Sequence, residues 1–312
     1  MEQGNECELL IVGGGPAGYA AALYGARASL DTVVLEQGMP GGQIATSDEI
    51  DNYPGIPHIG GAEIGQRMQE HAEEAGARTV YGMATAISPA EIGFSVQLGD
   101  RSITAGAVVA AMGATPRPGG FEGEDAFRGR GVSYCATCDG MFYRGKRVFV
   151  IGGGNTAVEE ALYLSRIADR VTMVVRRDEF RASRGAVQRL GERGNIDVRL
   201  LTSIVRIEGQ TFIERIAFRD NRTGEVSVEA FDPGSVGIFV ATGQVPQTEL
   251  VSGLVDLAPD GGIVTDDAMA TRTPGLFAAG DIRSKGLRQV VTAAADGAIA
   301  ATSAYRYLEG RL

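Results

Sequence analysis

The chain contains the same glycine-rich segment twice, and this repeat constrains its fold more than any other feature. Each copy begins with an apolar run typical of a buried strand and continues into a turn with the spacing Gly-x-Gly-x-x-Gly or Gly-x-Gly-x-x-Ala. An Ala-rich stretch with helical character follows, and then a second apolar strand. Strand, glycine turn, helix and strand in this order predict a βαβ unit. The strands and helices of the two copies cover residues 9–12, 17–28 and 32–36, and residues 147–151, 156–168 and 171–176.

A shorter repeat flanks the second βαβ unit. Residues 108–116 and 238–246 each form an apolar run that stops at a glycine, Gly113 or Gly243, and reach a proline three residues later. This pattern predicts a buried strand that ends in an extended segment. We interpret the pair as two crossings between domains. The sequence therefore predicts a second domain, residues 116–244, inserted into a first domain made of residues 1–115 and 245–312.

The first glycine turn predicts a dinucleotide site. Gly13 permits the tight turn, Gly15 lets a pyrophosphate approach the backbone, and Gly18 lets the helix pack closely on the strand. The pyrophosphate would rest at the helix N-terminus, where unpaired N–H groups favour negative charge. Glu36 ends the next strand, where an acid can bind a ribose hydroxyl. The alternative is a glycine-rich turn without a ligand.

The second glycine turn, Gly152-x-Gly154-x-x-Ala157, differs at the ribose position. Its second strand is followed by Arg176, Arg177 and Arg181, and no acid stands at the strand end. Guanidinium groups suit a 2′-phosphate, so the pattern favours NADP over NAD. The alternative is a solvated basic patch. The predicted fold is thus α/β, with two Rossmann-like, three-layer nucleotide-binding domains.

A Cys-x-x-Cys pair, Cys135 and Cys138, lies between the two glycine turns. Such a pair is a redox disulfide, half of a zinc site, or a coincidence. Zinc needs four ligands, and Cys7, His58 and His71 offer no second pair at ligand spacing. We therefore favour the redox disulfide, expect no metal, and read Cys7 as structural. Asp139 could move the proton that dithiol chemistry requires, or it could be a helix cap or turn residue.

The acidic balance of the chain argues against several partners. Its 29 Lys and Arg against 39 Asp and Glu give a net charge of −10. This charge argues against nucleic acid and anionic membranes. No apolar stretch approaches the roughly 18–20 residues that span a bilayer, and residues 1–8 lack the Lys or Arg of a signal peptide. We expect a cytoplasmic protein.

Taken together, the motifs closely resemble those of the bacterial low-molecular-weight thioredoxin reductases, almost from end to end. The residues that carry the resemblance are Gly13-Gly-Gly-Pro-Ala-Gly18, Gly41-Gly-Gln43, Asp51-Asn-Tyr-Pro-Gly55, Cys135-Ala-Thr-Cys-Asp-Gly140, Gly152-Gly-Gly-Asn-Thr-Ala157, Arg176-Arg-Asp178, Gly280-Asp281 and Arg288-Gln289.

The resemblance implies an FAD domain with an inserted NADPH domain. It assigns to the flavin nucleotide Gly13, Gly15, Pro16, Ala17, Glu36, Gly42, Gln43, Asn52, Gly113, Gly280, Asp281, Arg288 and Gln289. It assigns to NADPH Gly152, Gly154, Asn155, Thr156, Arg176, Arg177 and Arg181. The family usually has His before the two arginines, where this chain has Val175. We expect this departure to weaken NADP binding at most, although it leaves open tolerance of NADH or another electron donor.

The resemblance also implies the reaction, in which NADPH reduces the disulfide of thioredoxin through FAD and the Cys135–Cys138 pair. It places Cys138 next to the flavin, gives Cys135 the attack on the substrate disulfide, and makes Asp139 the acid/base. It further implies a homodimer. Because nicotinamide and dithiol belong to one domain and must reach one flavin, we expect that domain to rotate about the crossings.

The motifs leave two alternatives open. The chain could be a flavoprotein reductase or oxidase that acts on another disulfide or dithiol partner, since the motifs do not encode the partner's surface. It could also be a nucleotide-binding regulatory protein that has lost the chemistry, although the presence of Cys135, Cys138 and Asp139 together argues against this.

Overall fold

The computed structural model describes residues 6–47 and 49–310. Its strands, in chain order, are β1 (Glu6–Val12), β2 (Thr32–Glu36), β3 (Arg78–Tyr81), β4 (Ala86–Pro89), β5 (Phe94–Leu98), β6 (Arg101–Ala110), β7 (Ala114–Pro116), β8 (Val132–Ser133), β9 (Arg147–Ile151), β10 (Arg170–Val174), β11 (Ile196–Arg199), β12 (Thr202–Gly209), β13 (Ile213–Asp220), β14 (Val226–Ala230), β15 (Val236–Val240), β16 (Gln244–Pro246) and β17 (Leu276–Ala278). Its α-helices are α1 (Pro16–Arg27), α2 (Gly61–Glu74), α3 (Ala136–Asp139), α4 (Asn155–Leu164), α5 (Arg184–Gly191) and α6 (Val290–Leu308).

The chain divides into two compact units. The first unit consists of residues 1–115 and 245–312, and the second unit of residues 116–244. The chain passes between them twice, and the two connecting strands, β7 and β16, pair with each other. Each unit has its own sheet and its own buried core.

The first unit is built on a seven-stranded sheet. Its order is β3-β2-β1-β6-β5-β4, and β17 also pairs with β6. Strands β3, β2, β1, β6 and β17 run parallel, whereas β4 and β5 pair antiparallel at one side. Helices α1 and α6 cover one face, where Gly297 allows close approach because a Cβ there would stand 2.0 Å from the Ala17 carbonyl oxygen.

The second unit has three layers. Its middle layer is an all-parallel sheet of order β11-β10-β9-β15-β8. Helices α3, α4 and α5 cover one face, and the antiparallel sheet β12-β13-β14 contributes to the other. Full burial of Phe149 and Phe239 on opposite faces of the middle layer stabilises the unit by about 1.5–3 kcal/mol per side chain.

The predicted α/β class with two Rossmann-like nucleotide folds is confirmed. Both βαβ units form, with small shifts in their bounds. Helix α6 begins at Val290, because Gln289 is its N-cap in a capping box with Thr292, and it continues to Leu308. Among the described residues, no helix is long and apolar enough to cross a membrane.

Candidate functional site

Most of the predicted flavin residues follow the carboxyl ends of parallel strands in the first unit. Gly13 follows β1, Gly113 follows β6 and Gly280 follows β17, at the edge where α/β sheets bind ligands. Gly13 has φ +108°, a conformation that L side chains rarely adopt. A Cβ at Gly18 would lie 1.8 Å from the Gly13 carbonyl oxygen, so only glycine lets α1 sit this close to the turn. Gly15 is the N-cap of α1, and Pro16 and Ala17 begin the helix.

Glu36, at the end of β2, points into the first glycine turn. Its carboxylate accepts hydrogen bonds from the N–H of Gly14 at 2.5 Å and of Gly38 at 2.7 Å. The side chain is buried, and these two bonds offset the cost of burying its charge. The carboxylate therefore lies where the sequence pattern predicts a ribose ligand, at the end of the second strand of the turn.

Two segments that are distant in sequence meet this turn. Gly41 donates from its N–H to the Gly14 carbonyl at 2.8 Å, and Gly42 lies beside Gly15. The Gln43 amide donates to the Ala114 carbonyl at 3.0 Å. The Asn52 amide donates to Oε1 of Gln289, the N-cap of α6, at 2.9 Å. This hydrogen bond connects the segment around Asn52 with the start of α6.

Asp281 provides an unsatisfied polar atom in this region. Its Oδ1 is buried and has no hydrogen-bond partner among the described residues. Burial raises the pKa of the Asp281 carboxyl, and the positive charges of Lys285 and Arg288 oppose the shift. Arg288 is anchored by the carbonyl oxygens of Asp281 and Arg283, at 3.4 and 3.2 Å. A buried carboxylate oxygen without a partner suits a ligand hydroxyl.

The second glycine turn lies at the corresponding edge of the second unit, after β9. Gly152 follows the strand, Gly154 is the N-cap of α4, and Asn155 and Thr156 open the helix. The Asn155 side chain accepts from the N–H of Ser183 at 2.9 Å. The Arg181 N–H donates to the Gly153 carbonyl at 2.7 Å. The turn and the arginine segment are therefore one connected structure.

Arg176, Arg177 and Arg181 are exposed, and none of them forms an ion pair with any residue that the structure describes. Three cations without acidic partners can attract a dianionic phosphate. The Val175 side chain is instead buried in the core of the unit, packed toward Gly153. At this position the chain contributes packing and no charge.

Cys135 and Cys138 form a disulfide with their Cα atoms 5.3 Å apart. The cysteine pair follows β8, which belongs to the same parallel sheet as β9, the strand before the second glycine turn. Helix α3, which contains Cys138, packs against α4. Asp139 ends α3, and its Oδ2 accepts from the Ser133 hydroxyl at 2.6 Å. The second unit therefore contains the cysteine pair, its neighbouring acid and the second glycine turn.

Glu160 is a residue of this region that the sequence did not single out. It lies on α4, and the Ala136 N–H, between the two cysteines, donates to its carboxylate. Its Oε2 atom is buried without a hydrogen-bond partner in the described part of the chain. Burial raises the pKa of Glu160 to about 7, and the Ala136 N–H opposes this shift. The available signal was weak, because Glu160 is the second of two adjacent acids, Glu159 and Glu160, on the helix that follows a dinucleotide turn.

Two further predictions concern residues outside these sites. Cys7 is a free thiol in β1. Burial raises its pKa to about 12, as expected for a structural residue.

His58 lies 2.8 Å from Glu49 and 2.7 Å from Asp51, and the sequence analysis did not group these three residues. All three side chains are substantially accessible to solvent and pair with one another.

Comparison with known proteins places the whole chain among disulfide reductases. A sequence profile of the family described as pyridine nucleotide-disulphide oxidoreductase matches residues 7–297. The chain is 44% identical over 310 residues to a thioredoxin reductase of Peptoclostridium acidaminophilum, with 98% of each chain covered. It is 41% identical over 303 residues to a thioredoxin reductase of Bacillus subtilis, with 97% of this chain and 95% of that one covered.

A solved structure gives the same result. The chain matches the crystal structure of thioredoxin reductase from Streptococcus pyogenes with a TM-score of 0.91 and 41% sequence identity, covering 98% of this chain and 99% of the other. The likeness therefore extends over both units and both glycine turns.

Proposed function

The chain belongs to the pyridine nucleotide-disulphide oxidoreductase family, and we propose that it is a thioredoxin-disulfide reductase. The reaction is NADPH + H⁺ + thioredoxin disulfide → NADP⁺ + thioredoxin dithiol, in which one electron pair moves from the nucleotide to the substrate disulfide. The observation that carries the proposal is the Cys135–Cys138 disulfide on a helix packed against the helix of a dinucleotide turn. When bound, FAD accepts reducing equivalents from NADPH and passes an electron pair to a disulfide.

The first unit holds FAD in this proposal. The glycine turn and the N-terminus of α1 bind the pyrophosphate, and Glu36 binds a ribose hydroxyl. The buried Oδ1 of Asp281 would accept from a hydroxyl of the flavin nucleotide, a partner that no described residue supplies. The other residues of this site are Gly42, Gln43, Asn52, Gly113, Gly280, Arg288 and Gln289.

The second unit holds NADPH. Its glycine turn and the N-terminus of α4 bind the pyrophosphate through Gly152, Gly154, Asn155 and Thr156. The exposed guanidinium groups of Arg176, Arg177 and Arg181 bind the 2′-phosphate, since none of them forms an ion pair with a residue that the structure describes.

Cys135, Cys138 and Asp139 carry out the dithiol half of the reaction. After the disulfide is reduced, the Cys135 thiolate attacks a sulfur of the thioredoxin disulfide and forms a mixed disulfide, releasing one thioredoxin thiolate. Cys138 then attacks Cys135, restores the internal disulfide and releases the second thiolate. Asp139 moves the proton between Cys138 and solvent, held in place by Ser133.

The half-reactions alternate by rotation of the second unit relative to the first. The support for this is that the nicotinamide and the cysteine pair belong to one unit and the flavin to the other. Gly113 and Gly243, at the crossings, have positive φ of +70° and +114°, a backbone conformation that L side chains rarely adopt and that glycine permits. A cross-link that pins the units should stop turnover and spare one half-reaction, whereas undiminished turnover would exclude rotation.

The functional form is a homodimer in the cytoplasm. Between α1 and α6 lies a groove of about 500 Å³ lined by Tyr24, Ile299, Asp267 and Arg306 among others. The groove offers one acid, Asp267, and one base, Arg306, and an isologous interface would pair each with the other residue of the second copy. A monomeric mass in sedimentation velocity would contradict the dimer.

The reduced thiol pool of the cytoplasm suits an enzyme that delivers dithiols.

The function is tested by anaerobic titration of the flavin spectrum with NADPH and then with NADH. We expect NADPH to bleach the flavin at lower concentration than NADH, and Cys138→Ser to retain this bleaching but to lose thioredoxin reduction. Stopped-flow mixing with thioredoxin, a glutaredoxin-like carrier, a small disulfide and oxygen identifies the acceptor. Protein purified without flavin, or faster reduction of any acceptor other than thioredoxin, would overturn the proposal.

A further inference from the structure

Asp296, on the second turn of α6, forms a buried ionic cluster under the Gly280–Asp281 turn. Its Oδ1 lies 2.9 Å from Nη1 of Arg283, and its Oδ2 lies 2.7 Å from Nζ of Lys285. The same Oδ2 accepts from the N–H of Gly280 at 3.1 Å. The three charged side chains are only 10–13% exposed, so solvent screens these contacts little.

Asp281 lies next to this cluster, yet the cluster does not satisfy its side chain. One oxygen of Asp281 is buried without a partner in the described residues. Burial raises the pKa of the Asp281 carboxyl. The positive charges of Lys285 and Arg288 oppose this rise, and the charge of Lys285 opposes it more strongly. Lys285 nevertheless pairs with Asp296.

We infer that Asp296 is a positioning residue for the proposed flavin site: it holds the Gly280–Asp281 turn through the Gly280 N–H and retains Lys285, so that an Asp281 oxygen stays available to a hydroxyl of the flavin nucleotide. This inference rests on the proposed function, because it takes Asp281 as a flavin ligand. Arg283 has a second anchor, a 2.8 Å bond from its Nε to Oγ1 of Thr265, so Lys285 is the cation whose release matters.

The charges of the cluster account for the choice of an acid at position 296. Arg283 and Lys285 contribute two positive charges, and Asp281 and Asp296 two negative charges. A neutral residue at 296 leaves Lys285 buried beside a single unsatisfied carboxylate, to which it would then be drawn. That new ion pair would occupy the oxygen that the cofactor needs.

The test measures the rate at which the holoenzyme releases FAD, followed by the rise of flavin fluorescence after dilution into buffer without FAD. We expect Asp296→Asn to accelerate release about tenfold, as loss of a hydrogen bond to a charged group does. In the double variant Asp296→Asn with Lys285→Met, release should return to within about threefold of wild type. Asp100→Asn, in the exposed turn between β5 and β6, is the matched control and should not change the rate.

Removing the unpaired Lys285 charge would also relieve a loss of stability, so the free energy of unfolding of each variant is measured by urea beside its FAD release. Faster release that only follows lower stability would overturn the inference. Release by Asp296→Asn at the wild-type rate, or release by the double variant as fast as by the single variant, would overturn the inference. Lys285→Met alone should leave release unchanged, and faster release would mean that Lys285 itself binds the cofactor and that the inference is wrong. If Asp296→Asn is not recovered folded, the double variant and Lys285→Met remain as tests. Release near the wild-type rate by both supports the inference, and faster release by either overturns it.

The inference and the proposed function can fail separately. Asp281→Asn tests the flavin site, and wild-type release by that variant would remove Asp281 from the site. Fast release by Asp281→Asn together with slow release by Asp296→Asn would leave the flavin site standing and overturn only the role of Asp296.

Discussion

The Ser133 hydroxyl donates a 2.6 Å hydrogen bond to Oδ2 of Asp139 and so joins the two ends of the segment that contains the cysteines. Oγ of Ser133 also accepts from the Cys135 N–H at 3.1 Å. Ser133 is buried at the end of β8, within the parallel sheet. The proposed acid/base is therefore held by a side chain fixed in the sheet as well as by the short helix that it ends.

Ser133→Ala should slow the reduction of thioredoxin about tenfold, because it leaves the Asp139 carboxylate and the Cys135 N–H each without one partner. Reduction of the flavin by NADPH should stay unchanged, since Ser133 serves the dithiol and not the nucleotide. Stopped-flow measurement of both half-reactions checks this. Ser227→Ala, at an exposed position of β14, is the control. Equal slowing of both half-reactions would mean that Ser133 supports the fold and not the proton transfer.

The double variant Arg176→Gln, Arg177→Gln should raise KM for NADPH about 100-fold, at roughly tenfold for each lost charge-assisted contact. KM for NADH should stay the same, because NADH lacks the 2′-phosphate that these groups bind. Steady-state kinetics with both nucleotides measures the split. Arg189→Gln, in the last turn of α5, serves as the control. A similar increase for both nucleotides would place the arginines outside the 2′-phosphate site.

Glu160 should make the stability of the second unit depend on pH near neutrality. Its pKa rises from 4.5 to about 7 on folding, so between these values the native state retains a proton that the unfolded chain has lost. The free energy of unfolding therefore falls as pH rises through this window, by about 3 kcal/mol, and stays lower above it.

Glu160→Gln should abolish this decline, because the amide does not titrate. Urea unfolding of wild type and variant at pH 5 and pH 8, with saturating FAD, measures it: the variant should gain stability relative to wild type at pH 8. Glu192→Gln, exposed at the end of α5, should keep the wild-type dependence. Parallel changes in wild type and Glu160→Gln would show that the Glu160 carboxyl does not change its protonation in this range.

Gly243→Ala should lower kcat severalfold, because φ at this crossing is +114° and an L residue there is strained by about 1–3 kcal/mol. Apart from the chain neighbours, no atom of the described residues lies within 4 Å of the added Cβ, so the effect would come from backbone conformation and not from a clash. The anaerobic NADPH titration should keep its endpoint, since neither nucleotide site changes. Gly253→Ala, exposed and without positive φ, is the control. Unchanged turnover by Gly243→Ala would argue against hinge motion at this crossing.

Local patterns were sufficient to predict the two nucleotide folds. The Gly13 and Gly152 turns follow apolar strands and precede helices, so both signals come from neighbouring residues. The antiparallel sheet β12-β13-β14 was not predicted. In β14 almost every residue is exposed, so the strand lacks the alternation that would reveal it, and its existence depends on pairing with β13.

The supporting side chains of the sites could not be predicted for a related reason. Glu160 and Asp296 owe their roles to contacts with Ala136, Gly280 and Lys285, which lie 11 to 24 residues away along the chain. In sequence Asp296 is the one acid of helix α6, and Glu160 is the second of two adjacent acids in helix α4. Only the fold shows that each carboxylate is turned inward, where partners and burial decide its charge.

The pairing of β7 with β16 brings the two ends of the second unit together. The Arg117 N–H donates to the Gly243 carbonyl at 2.9 Å, and the Thr242 hydroxyl donates back to the Arg117 carbonyl at 2.5 Å. A module whose ends already touch can be cut out, joined end to end or inserted into another host loop with little loss of chain entropy. The gene segment for residues 116–244 is thus suited to transfer by recombination as one piece, because its insertion asks a host loop only to bring two adjacent chain ends together.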